Sequence, residues 1–596
     1  MRMQSNEPRR GIHTLLLAAL LAGVAGCTPA TVRGPAPAAG PIEAAAEPNW
    51  QGGGMVAAAN PLAAEAGAEI LRAGGSAVDA AVAVQAVLGL VEPQSSGIGG
   101  GAFLVHYSAA TGDVITYDGR EVAPRGATAE MFLDAGGKPL RFFDAVRSGR
   151  SVGVPGAVAM LELAHREHGR LPWRQLWRSG ITLAENGFAV SPRLNELITA
   201  VVSRGTLPAE SAAYLTLDGK TPRPVGSVLR NPDYAATLRR IAVQGARALS
   251  EGPIAQQIVD AVRADPLPGT LTLEDLRDYR PNRLEPVCSQ YRVYLVCGMR
   301  PPSSGGVAVL AGLGILSHVD MSARGPQTVA GWHHLIEAQR LAYADRDTYV
   351  ADDRYEAVPI AGLLDADYLA SRASLVSPDR AMQRVEPGRP PGAAVRGRDS
   401  SGGTTGTSHF VVVDGRGNVV SMTTTVESLF GSQRMAGGFF LNNQLTDFSF
   451  TPFDDKGQPI ANAVAPGKKP RSSMSPTIIF RDGRFELAVG SPGGHAIIAY
   501  VTKSIVGMLD WGLSPQAAVD LPNVIARGLV IAEPSRMNPS MIESLRAMGH
   551  QFRGGRSGGE ISGIHAVRRL SDGRLEGAAD SRREGKVIAV PYDPAR

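Results

Sequence analysis

The chain has 596 residues, of which 44% are hydrophobic, and its 60 Lys and Arg residues nearly balance 56 Asp and Glu residues. A chain of this length and hydrophobic content can bury a large core, which excludes a disordered protein. The balanced charge argues against a nucleic-acid partner, because nucleic-acid-binding proteins concentrate basic residues on one surface. The 70 glycines and the low aromatic content of 6% are typical of an α/β or sandwich enzyme with many tight turns.

The first 48 residues indicate export and a membrane tether. Three arginines precede an apolar run at residues 15–22, which is too short to span a bilayer, and small residues then lead to Cys27. This pattern is typical of a bacterial lipoprotein signal, in which residues 1–26 are removed and Cys27 is lipidated. The Ala/Pro-rich residues 27–48 are then a tether on the periplasmic face of a membrane. The alternative is an ordinary secretory signal with a chance cysteine, and a soluble periplasmic or secreted protein.

The mature chain begins with helical patterns. Residues 55–91 carry Ala, Val and Leu at helical spacing, interrupted by Gly74-Gly75-Ser76, and predict helix. A strand is predicted at residues 102–107. Residues 155–385 are predicted to be mostly helical, and they include an amphipathic stretch from Val329 to Asp345.

Two cysteines remain besides Cys27. Cys288 and Cys297 lie in the alternating segment VCSQYRVYLVC, which predicts a hairpin with the two thiols near each other. An exported protein permits a disulfide there, and two buried thiols are an equally good interpretation. Neither cysteine has a predicted catalytic role.

The pattern changes abruptly after residue 385. Residues 386–406 are full of Gly, Pro and other breakers and predict an exposed, mobile segment. Strong β patterns follow at residues 407–414 and 419–426, with a turn between them. A turn centred on Arg416 places Thr407 opposite Thr425, because each lies nine residues from it. Opposed side chains share a face, with Cβ atoms about 4.5–5.5 Å apart, although a routine cross-strand threonine pair would look the same.

Thr407 stands where a breaker-rich loop meets a strand, which is a favourable place for self-cleavage. Its hydroxyl could attack the unhindered carbonyl of Gly406. Cleavage would leave an α-amine, with an unperturbed pKa of about 7.7–8.0, beside the Thr407 hydroxyl as a general base. Acyl transfer also needs hydrogen-bond donors for the oxyanion, which Gly493 and Gly494 could supply after a strand at residues 485–489.

Polar clusters elsewhere offer groups that could bind a charged substrate. Gln444 and Asp447 could receive an ammonium, and Ser472 and Ser473 could receive a carboxylate. Arg120 could form a bidentate pair with a carboxylate. Taken singly, each of these residues is better explained as part of a turn or surface.

From about residue 53 to the C-terminus, the ordered motifs resemble the γ-glutamyltransferase (glutathione hydrolase) family of N-terminal-nucleophile enzymes. The matching stretches are VEPQSSGIGGGAF, DGREVAP, VGVPGAV, RPPSSGG, EAQRLAYADR, TSHFVVVDGRGNVVSMTTTVESLFGS, LNNQLTDFS, PRSSMSPTI and GSPGGHAII. The resemblance implies an α+β fold, a four-layer αββα sandwich. It also implies a precursor cleaved between Gly406 and Thr407 into a large subunit (49–406) and a small catalytic subunit (407–596), which stay together as a heterodimer.

The resemblance also assigns roles. Thr407 would cleave the chain and then attack γ-glutamyl amides such as glutathione, and water or an amino-acid or peptide amine would resolve the γ-glutamyl-enzyme. No metal or organic cofactor is implied. Thr425 would hydrogen-bond to Thr407, and Gly493 and Gly494 would form the oxyanion hole. Arg120, Ser472 and Ser473 would bind the α-carboxylate of the γ-glutamyl group. Gln444 and Asp447 would bind its α-amine.

Three features depart from the family pattern. Glu427 stands where the family usually has Asn; a carboxylate can still meet the substrate ammonium, but it changes the charge of the pocket. Residues 450–469 form a segment that is shorter than the lid of some family members and differs from it in composition. His495 follows the glycine pair, where a smaller or uncharged polar residue is usual, and is interpreted as a neighbour of the site.

Other functions have weaker support. The motif G-x-S-x-G of serine hydrolases occurs at residues 149–153 and 555–559, but neither has the strand-to-helix setting of a nucleophile elbow. The pair His165/His168 and the group His333/His334/Glu337 are better explained by surface or packing roles than by a metal site. A lipid-tethered binding protein is a further alternative. Within the family, the competing activity is an acylase acting on glutaryl or cephalosporin side chains, which lack the α-amine.

Overall fold

The computed structural model describes residues 50, 53–205, 207–401, 406–553 and 561–591. The predicted signal, the tether and Cys27 lie outside the described residues, as does the whole G-x-S-x-G segment at 555–559. The strands are β1 (Gly54–Ala58), β2 (Gly101–Tyr107), β3 (Val114–Gly119), β4 (Phe188–Ala189), β5 (Val228–Leu229), β6 (Asn282–Leu284), β7 (Val287–Tyr291), β8 (Tyr294–Gly298), β9 (Gly406–Val413), β10 (Val419–Glu427), β11 (Met435–Ala436), β12 (Phe439–Phe440), β13 (Thr477–Arg481), β14 (Arg484–Gly490), β15 (Val524–Ile525), β16 (Ile531–Ala532), β17 (His565–Arg569), β18 (Leu575–Ala579) and β19 (Lys586–Val590).

Helices connect and cover these strands. They are α1 (Pro61–Arg72), α2 (Ala77–Val91), α3 (Phe142–Arg147), α4 (Ala157–His168), α5 (Trp173–Leu176), α6 (Arg178–Asn186), α7 (Pro192–Val202), α8 (Ala209–Leu215), α9 (Pro232–Gln244), α10 (Arg247–Ser250), α11 (Gly252–Arg263), α12 (Leu273–Asp278), α13 (Gly305–Leu316), α14 (Val329–Tyr349), α15 (Ile360–Leu363), α16 (Ala366–Ala373), α17 (Ile497–Leu509), α18 (Pro515–Asp520) and α19 (Pro539–Ala547). Short 3₁₀ helices lie at Gly149–Ser151, Gln444–Asp447 and Gly494–Ala496.

Two antiparallel sheets form the centre of the molecule. A seven-stranded sheet has the order β19-β1-β9-β10-β2-β3-β6, and a six-stranded sheet has the order β18-β17-β14-β13-β8-β7. Side chains of β9 alternate between two cores, as the period of a strand requires. Phe410 and Val412 pack toward the helices that cover the first sheet, whereas Val411 and Val413 join the core that the first sheet shares with the second.

Each sheet also carries a helical layer on its outer face. Helices α1, α2, α4, α6 and α9 contribute to the core on the first sheet. Helices α13, α14 and α17 contribute to the core around the second sheet. Burying both faces of both sheets produces four layers, which confirms the predicted αββα sandwich. Within the described residues, no helix combines the length and apolar character needed to cross a bilayer.

Two helical predictions were wrong in part. Residues 54–58 form strand β1, although their sequence GMVAA favours helix, because β1 hydrogen-bonds with β9 on one side and β19 on the other. Helices α1 and α2 then occupy the rest of the predicted segment, and the glycine break between them is confirmed. The stretch from Val329 is helical but not amphipathic, since α14 is buried along nearly its whole length.

The two predicted hairpins are present. Strands β9 and β10 pair with Thr407 opposite Thr425, the register that the turn predicted. Strands β7 and β8 pair with Cys288 opposite Cys297, and a disulfide joins these two residues. The structure therefore decides between the two alternatives for the cysteines in favour of the disulfide.

The segment before β9 is largely exposed in its described part, as its composition predicted, but it also has buried contacts. Residues 402–405 lie outside the described part of the chain. Just before them, however, Asp399 is buried and accepts hydrogen bonds from Arg471 at 2.7 Å and from the Asn462 amide at 3.0 Å. Breaker residues make this segment irregular, but a buried ion pair holds its end in place.

Candidate active site

The threonine pair lies at the start of β9. Thr407 Oγ1 donates a hydrogen bond to Thr425 Oγ1 at 3.1 Å. The Thr425 hydroxyl in turn donates to the carbonyl oxygen of Gly406 at 2.6 Å. One hydroxyl therefore orients the Thr407 oxygen and polarises the carbonyl that precedes it. A side chain at position 406 would not fit, because a Cβ there would lie 2.4 Å from the Ser428 carbonyl oxygen.

A β-bulge after Thr425 shapes the neighbouring wall. The register shifts between Thr425 and Glu427, and Glu427 has a φ of 81°, a left-handed conformation that is unusual for a residue with a side chain. The Glu427 amide donates to Thr425 Oγ1 at 2.8 Å. Its carboxylate accepts hydrogen bonds from Ser428 Oγ at 2.7 Å and from the Asn443 amide. The bulge thus fixes both the Thr425 hydroxyl and a carboxylate beside it.

Two further residues form hydrogen bonds with the start of β9. Arg583 Nη1 donates to the carbonyl oxygen of Thr407 at 3.0 Å. Ser408 Oγ donates to the buried Glu92 carboxylate at 2.9 Å. Glu92 lies in the motif VEPQSSGIGGGAF, which is the signal that could have identified it, whereas Arg583 lies outside every matching stretch.

One cavity brings most of the predicted site residues together. Its lining contains nine of them: Arg120, Thr407, Thr425, Glu427, Gln444, Asp447, Ser472, Ser473 and Gly494. Gly493 and Gly406, the chain neighbours of Gly494 and Thr407, are not part of this lining. The cavity also contains Arg346, Arg471, Arg527 and His495, of which the sequence singled out only His495.

Arg120 is completely buried and already holds several partners. Its Nη2 donates to Asp447 at 2.6 Å and to the Arg471 carbonyl at 3.0 Å, and its Nε donates to the Pro470 carbonyl at 3.1 Å. The Gln444 amide donates to the same Asp447 oxygen at 3.0 Å. Among the described residues, Arg120 Nη1 has no hydrogen-bond partner. Asp447 and the two backbone carbonyls thus fix the position of the guanidinium in the wall of the cavity.

Glu121, next to Arg120, is a buried carboxyl that sequence reasoning did not single out. Neither of its oxygens has a hydrogen-bond partner among the described residues, and Arg120 Nη1 is 3.9 Å away. Burial raises the pKa of Glu121 to about 8, against the opposing effect of Arg120. The group is therefore mostly protonated at neutral pH, so that Asp447, and not Glu121, is the carboxylate that pairs with Arg120.

The serine pair is connected to α14. Ser473 Oγ accepts a hydrogen bond from Arg346 Nη2 at 2.5 Å, and Ser472 Oγ accepts one from the Met474 amide at 3.1 Å. Burial, followed by the neighbouring Arg471, lowers the pKa of Arg346 to about 10, so that it remains charged at neutral pH. Arg346 closes the motif EAQRLAYADR, which is the signal that could have identified it.

The glycine pair lies where β14 leads into α17. Gly493 and Gly494 have φ values of 136° and 58°, which side chains rarely adopt. A Cβ at Gly493 would lie 2.6 Å from the Tyr500 ring. Backbone N–H groups at the start of a helix are unpaired and favour negative charge. Burial, followed by Arg527 and Arg346, lowers the pKa of the adjacent His495 to about 4, so that this histidine is neutral at pH 7.

Comparison with known proteins identifies this arrangement. A sequence profile described as gamma-glutamyltranspeptidase matches residues 63–590. The glutathione hydrolase proenzyme of Bacillus subtilis (strain 168) is 38% identical over 550 residues, which cover 90% of this chain and 91% of that protein. The chain belongs to the gamma-glutamyltranspeptidase family. Its members are enzymes that transfer and hydrolyse γ-glutamyl groups, and the expected family is therefore confirmed.

Acylases are also similar to this gamma-glutamyltranspeptidase family member. The Acylase ACY 1 proenzyme of Pseudomonas sp. (strain V22) is 36% identical over 550 residues, covering 91% of this chain and 94% of that protein. The crystal structure of cephalosporin acylase from Bacillus halodurans superposes with a TM-score of 0.78 at 29% identity, covering 91% of this chain and 96% of that one.

The competing motifs have structural roles. Ser151, in the first G-x-S-x-G segment, is buried in a 3₁₀ helix and donates to the carbonyls of Val146 and Ser148, which is not the setting of a nucleophile elbow. His333 hydrogen-bonds with His550, and Glu337 pairs with Arg340. Within the described residues, no group of three His, Cys, Asp or Glu side chains is arranged to hold a metal ion.

Proposed function

We propose that this family member is a self-cleaving glutathione hydrolase and γ-glutamyltransferase in which Thr407 performs both reactions. The observation that carries the proposal is the hydrogen-bond chain from Thr407 through Thr425 to the Gly406 carbonyl, at the wall of a cavity that contains both carboxylates and arginines. The relatives named above are called proenzymes, which supports cleavage of a precursor.

In the cleavage step, the Thr407 oxygen attacks the carbonyl carbon of Gly406. The C–N bond breaks, the proton of the hydroxyl passes to the departing Thr407 nitrogen, and an ester links Gly406 to the Thr407 oxygen. Water hydrolyses this ester and leaves a large subunit ending at Gly406 and a small subunit starting at Thr407. Thr425 stabilises the negative charge that develops on the Gly406 oxygen.

In the turnover step, the free α-amine of Thr407 acts as the general base. The Thr407 oxygen attacks the γ-carbonyl of the substrate, its proton passes through the α-amine to the leaving amine, and a γ-glutamyl ester remains on the enzyme. Gly493 and Gly494 donate backbone hydrogen bonds to the oxyanion. Water then gives glutamate, or an amino-acid or peptide amine gives a new γ-glutamyl compound.

The charges of the cavity match a substrate with both an α-carboxylate and an α-ammonium. Arg120, Ser472 and Ser473 would bind the α-carboxylate. Glu427, Gln444 and Asp447 would bind the α-ammonium, and Glu427 thereby takes the place of the usual Asn. A glutaryl group has no ammonium and cannot form the ion-pair contacts that Glu427 and Asp447 would offer to a γ-glutamyl group, so it would bind less tightly.

The acylase activity is the second candidate, because acylases are among the relatives and Glu427 changes the pocket. The two activities are distinguished by the kcat/KM of the purified enzyme for a γ-glutamyl anilide and for its glutaryl analogue. We expect a clear preference for the γ-glutamyl compound. Glu427→Gln should reduce turnover of the γ-glutamyl compound more than that of the glutaryl compound. Equal or better use of the glutaryl anilide by the wild type would favour the acylase.

We also propose that the precursor is exported and that Cys27 is lipidated, with residues 27–48 as a tether. The support is the arrangement of basic, apolar and small residues before Cys27. Mass spectrometry of the N-terminal peptide tests this. A diacylglyceryl modification on Cys27 is expected, and a mature chain that begins elsewhere would contradict it.

A further inference from the structure

The loops that connect the central strands gather at one end of the molecule, opposite Thr407. Because Thr407 starts β9 and the strands pair in register, the hairpin loops at residues 108–113, 292–293, 414–418, 482–483 and 570–574 all lie at the far ends of their strands. We call these loops and the residues that flank them the turn face. Six residue steps of roughly 3.3 Å separate Thr407 from Val413, so the turn face lies about 20 Å from the nucleophile.

The turn face contains a groove rich in arginine. It lies between the loop that joins β13 to β14 and the loop that joins β17 to β18, and is lined by the arginines Arg481, Arg484, Arg568, Arg569 and Arg574. Three carboxylates, Asp482, Glu486 and Asp572, line the same groove, which therefore has a net charge of +2. On the other loops of the turn face, Asp113 and Asp414 offset Arg292 and Arg416.

Two further features suit contact with a membrane. Val293, at the tip of the β7–β8 loop, is 58% exposed. The described part of the chain begins at Trp50, whose ring stacks with Arg569 at 5.2 Å and lies against Gly417 in the β9–β10 turn. Trp50, the first described residue, therefore lies at the turn face.

We propose that the turn face binds the surface of an anionic phospholipid membrane, with Thr407 and its cavity facing away from the lipid. Arginine side chains near an anionic surface are attracted to its phosphate groups, and each adds a small increment to binding. A net charge of +2 is modest, but a lipid at Cys27 would hold the face within reach of the membrane and so raise its effective concentration. This orientation rests on the proposed anchor, whereas the lipid affinity of the face does not.

The test uses the full chain with Cys27→Ser, so that no lipid is attached. Binding is measured by cosedimentation at low salt with vesicles of equal parts phosphatidylglycerol and phosphatidylcholine, and with vesicles of phosphatidylcholine alone. The readout is the ratio of the two partition coefficients, because the N-terminal segment contributes equally to all variants. We expect R481E/R484E/R574E to lower this ratio at least tenfold.

The matched control is R174E/R178E/R240E, which reverses three exposed arginines on the helices that cover the first sheet. It should leave the ratio close to that of the parent chain. Self-cleavage and hydrolysis of a γ-glutamyl anilide should be unchanged in both triple variants, which confirms that they fold. Equal ratios for the two triple variants, or a parent chain that does not distinguish the two kinds of vesicle, would overturn the proposal. Lipidation of Cys27 is measured separately on the wild type, so failure of the anchor is distinguishable from failure of the face.

Discussion

A single hydroxyl connects the nucleophile to the bond that it would break. Thr425 accepts from Thr407 and donates to the Gly406 carbonyl, and the bulge amide of Glu427 fills its remaining acceptor position. Its proton therefore points at the Gly406 oxygen. After cleavage that oxygen is no longer covalently joined to Thr407, and the same hydroxyl can serve the nucleophile during turnover.

Removing this hydroxyl should slow self-cleavage while the fold persists. Thr425→Val keeps the shape of the side chain but leaves the Gly406 oxygen without its donor, which corresponds to about 1–3 kcal/mol or roughly a ten- to hundredfold slower reaction. The rate is measured as the appearance of two bands on a denaturing gel. Thr425→Ser, which retains the hydroxyl, is the control and should cleave at a rate close to that of the wild type. Equal rates for the valine and serine variants would exclude this role.

The buried carboxyl of Glu121 predicts a pH dependence of stability. Its folded-state pKa of about 8 lies above the ordinary value of 4.5, so the folded protein binds more protons between these two pH values. The free energy of unfolding should therefore fall as pH rises through this window, with a slope from this group of at most about 1.4 kcal/mol per pH unit.

Glu121→Gln should remove that component. Urea unfolding midpoints of the uncut Thr407→Ala chain, with and without Glu121→Gln, are compared from pH 5 to pH 8. The difference between the two chains should change steadily in favour of the glutamine variant as pH rises. A difference that does not vary with pH would mean that Glu121 is already ionised in the folded protein.

At the scale of secondary-structure elements, the local sequence pattern predicted the hairpins, because their two strands are adjacent in the chain. The β9–β10 register followed from the turn position, and the β7–β8 hairpin followed from alternation. Strand β1 and the burial of α14 could not be predicted in this way. Strands distant in the chain flank β1, and elements distant in the chain, including α19 and β15, pack on α14. The same limit explains why Arg583 was missed: it reaches Thr407 only through the tertiary fold.

Helix α14 places the positively charged Arg346 at the cavity, so a substitution of this residue should specifically reduce enzymatic activity. Arg346 uses three nitrogens to bind Ser304, Asp347 and Ser473. Arg346→Lys keeps the charge but cannot form this fork, so kcat/KM for a γ-glutamyl anilide should fall about tenfold or more. Self-cleavage should persist, because no described contact joins Arg346 to Gly406 or Thr407.

Arg340→Lys on the same helix is the control. Arg340 bonds with Glu337 and the Met382 carbonyl and does not line the cavity. Activity should remain close to that of the wild type. A similar loss in both lysine variants would indicate a general disturbance of α14 instead of a role for Arg346 in the site.

At the scale of the whole molecule, the two predicted subunits are interleaved. Strands β9 and β10 of the small subunit lie between β1 and β2 of the large subunit, and β13 of the small subunit pairs with β8 of the large one. Separation would break backbone hydrogen bonds in both sheets and expose both cores.

Cleavage should therefore leave one particle. The wild type should elute from a size-exclusion column at the same volume as the uncut Thr407→Ala chain, and only denaturation should separate it into two bands. Elution of the native enzyme as two smaller species would contradict the interleaved arrangement.

The central claim is that Thr407 cleaves the chain before itself and becomes the nucleophile. N-terminal sequencing of the smaller band from a denaturing gel of the purified wild type tests it most directly. The predicted result is a sequence that starts at Thr407, together with a single uncut band for Thr407→Ala. An uncut wild type that hydrolyses γ-glutamyl anilides, or a small subunit that starts at another residue, would contradict the account.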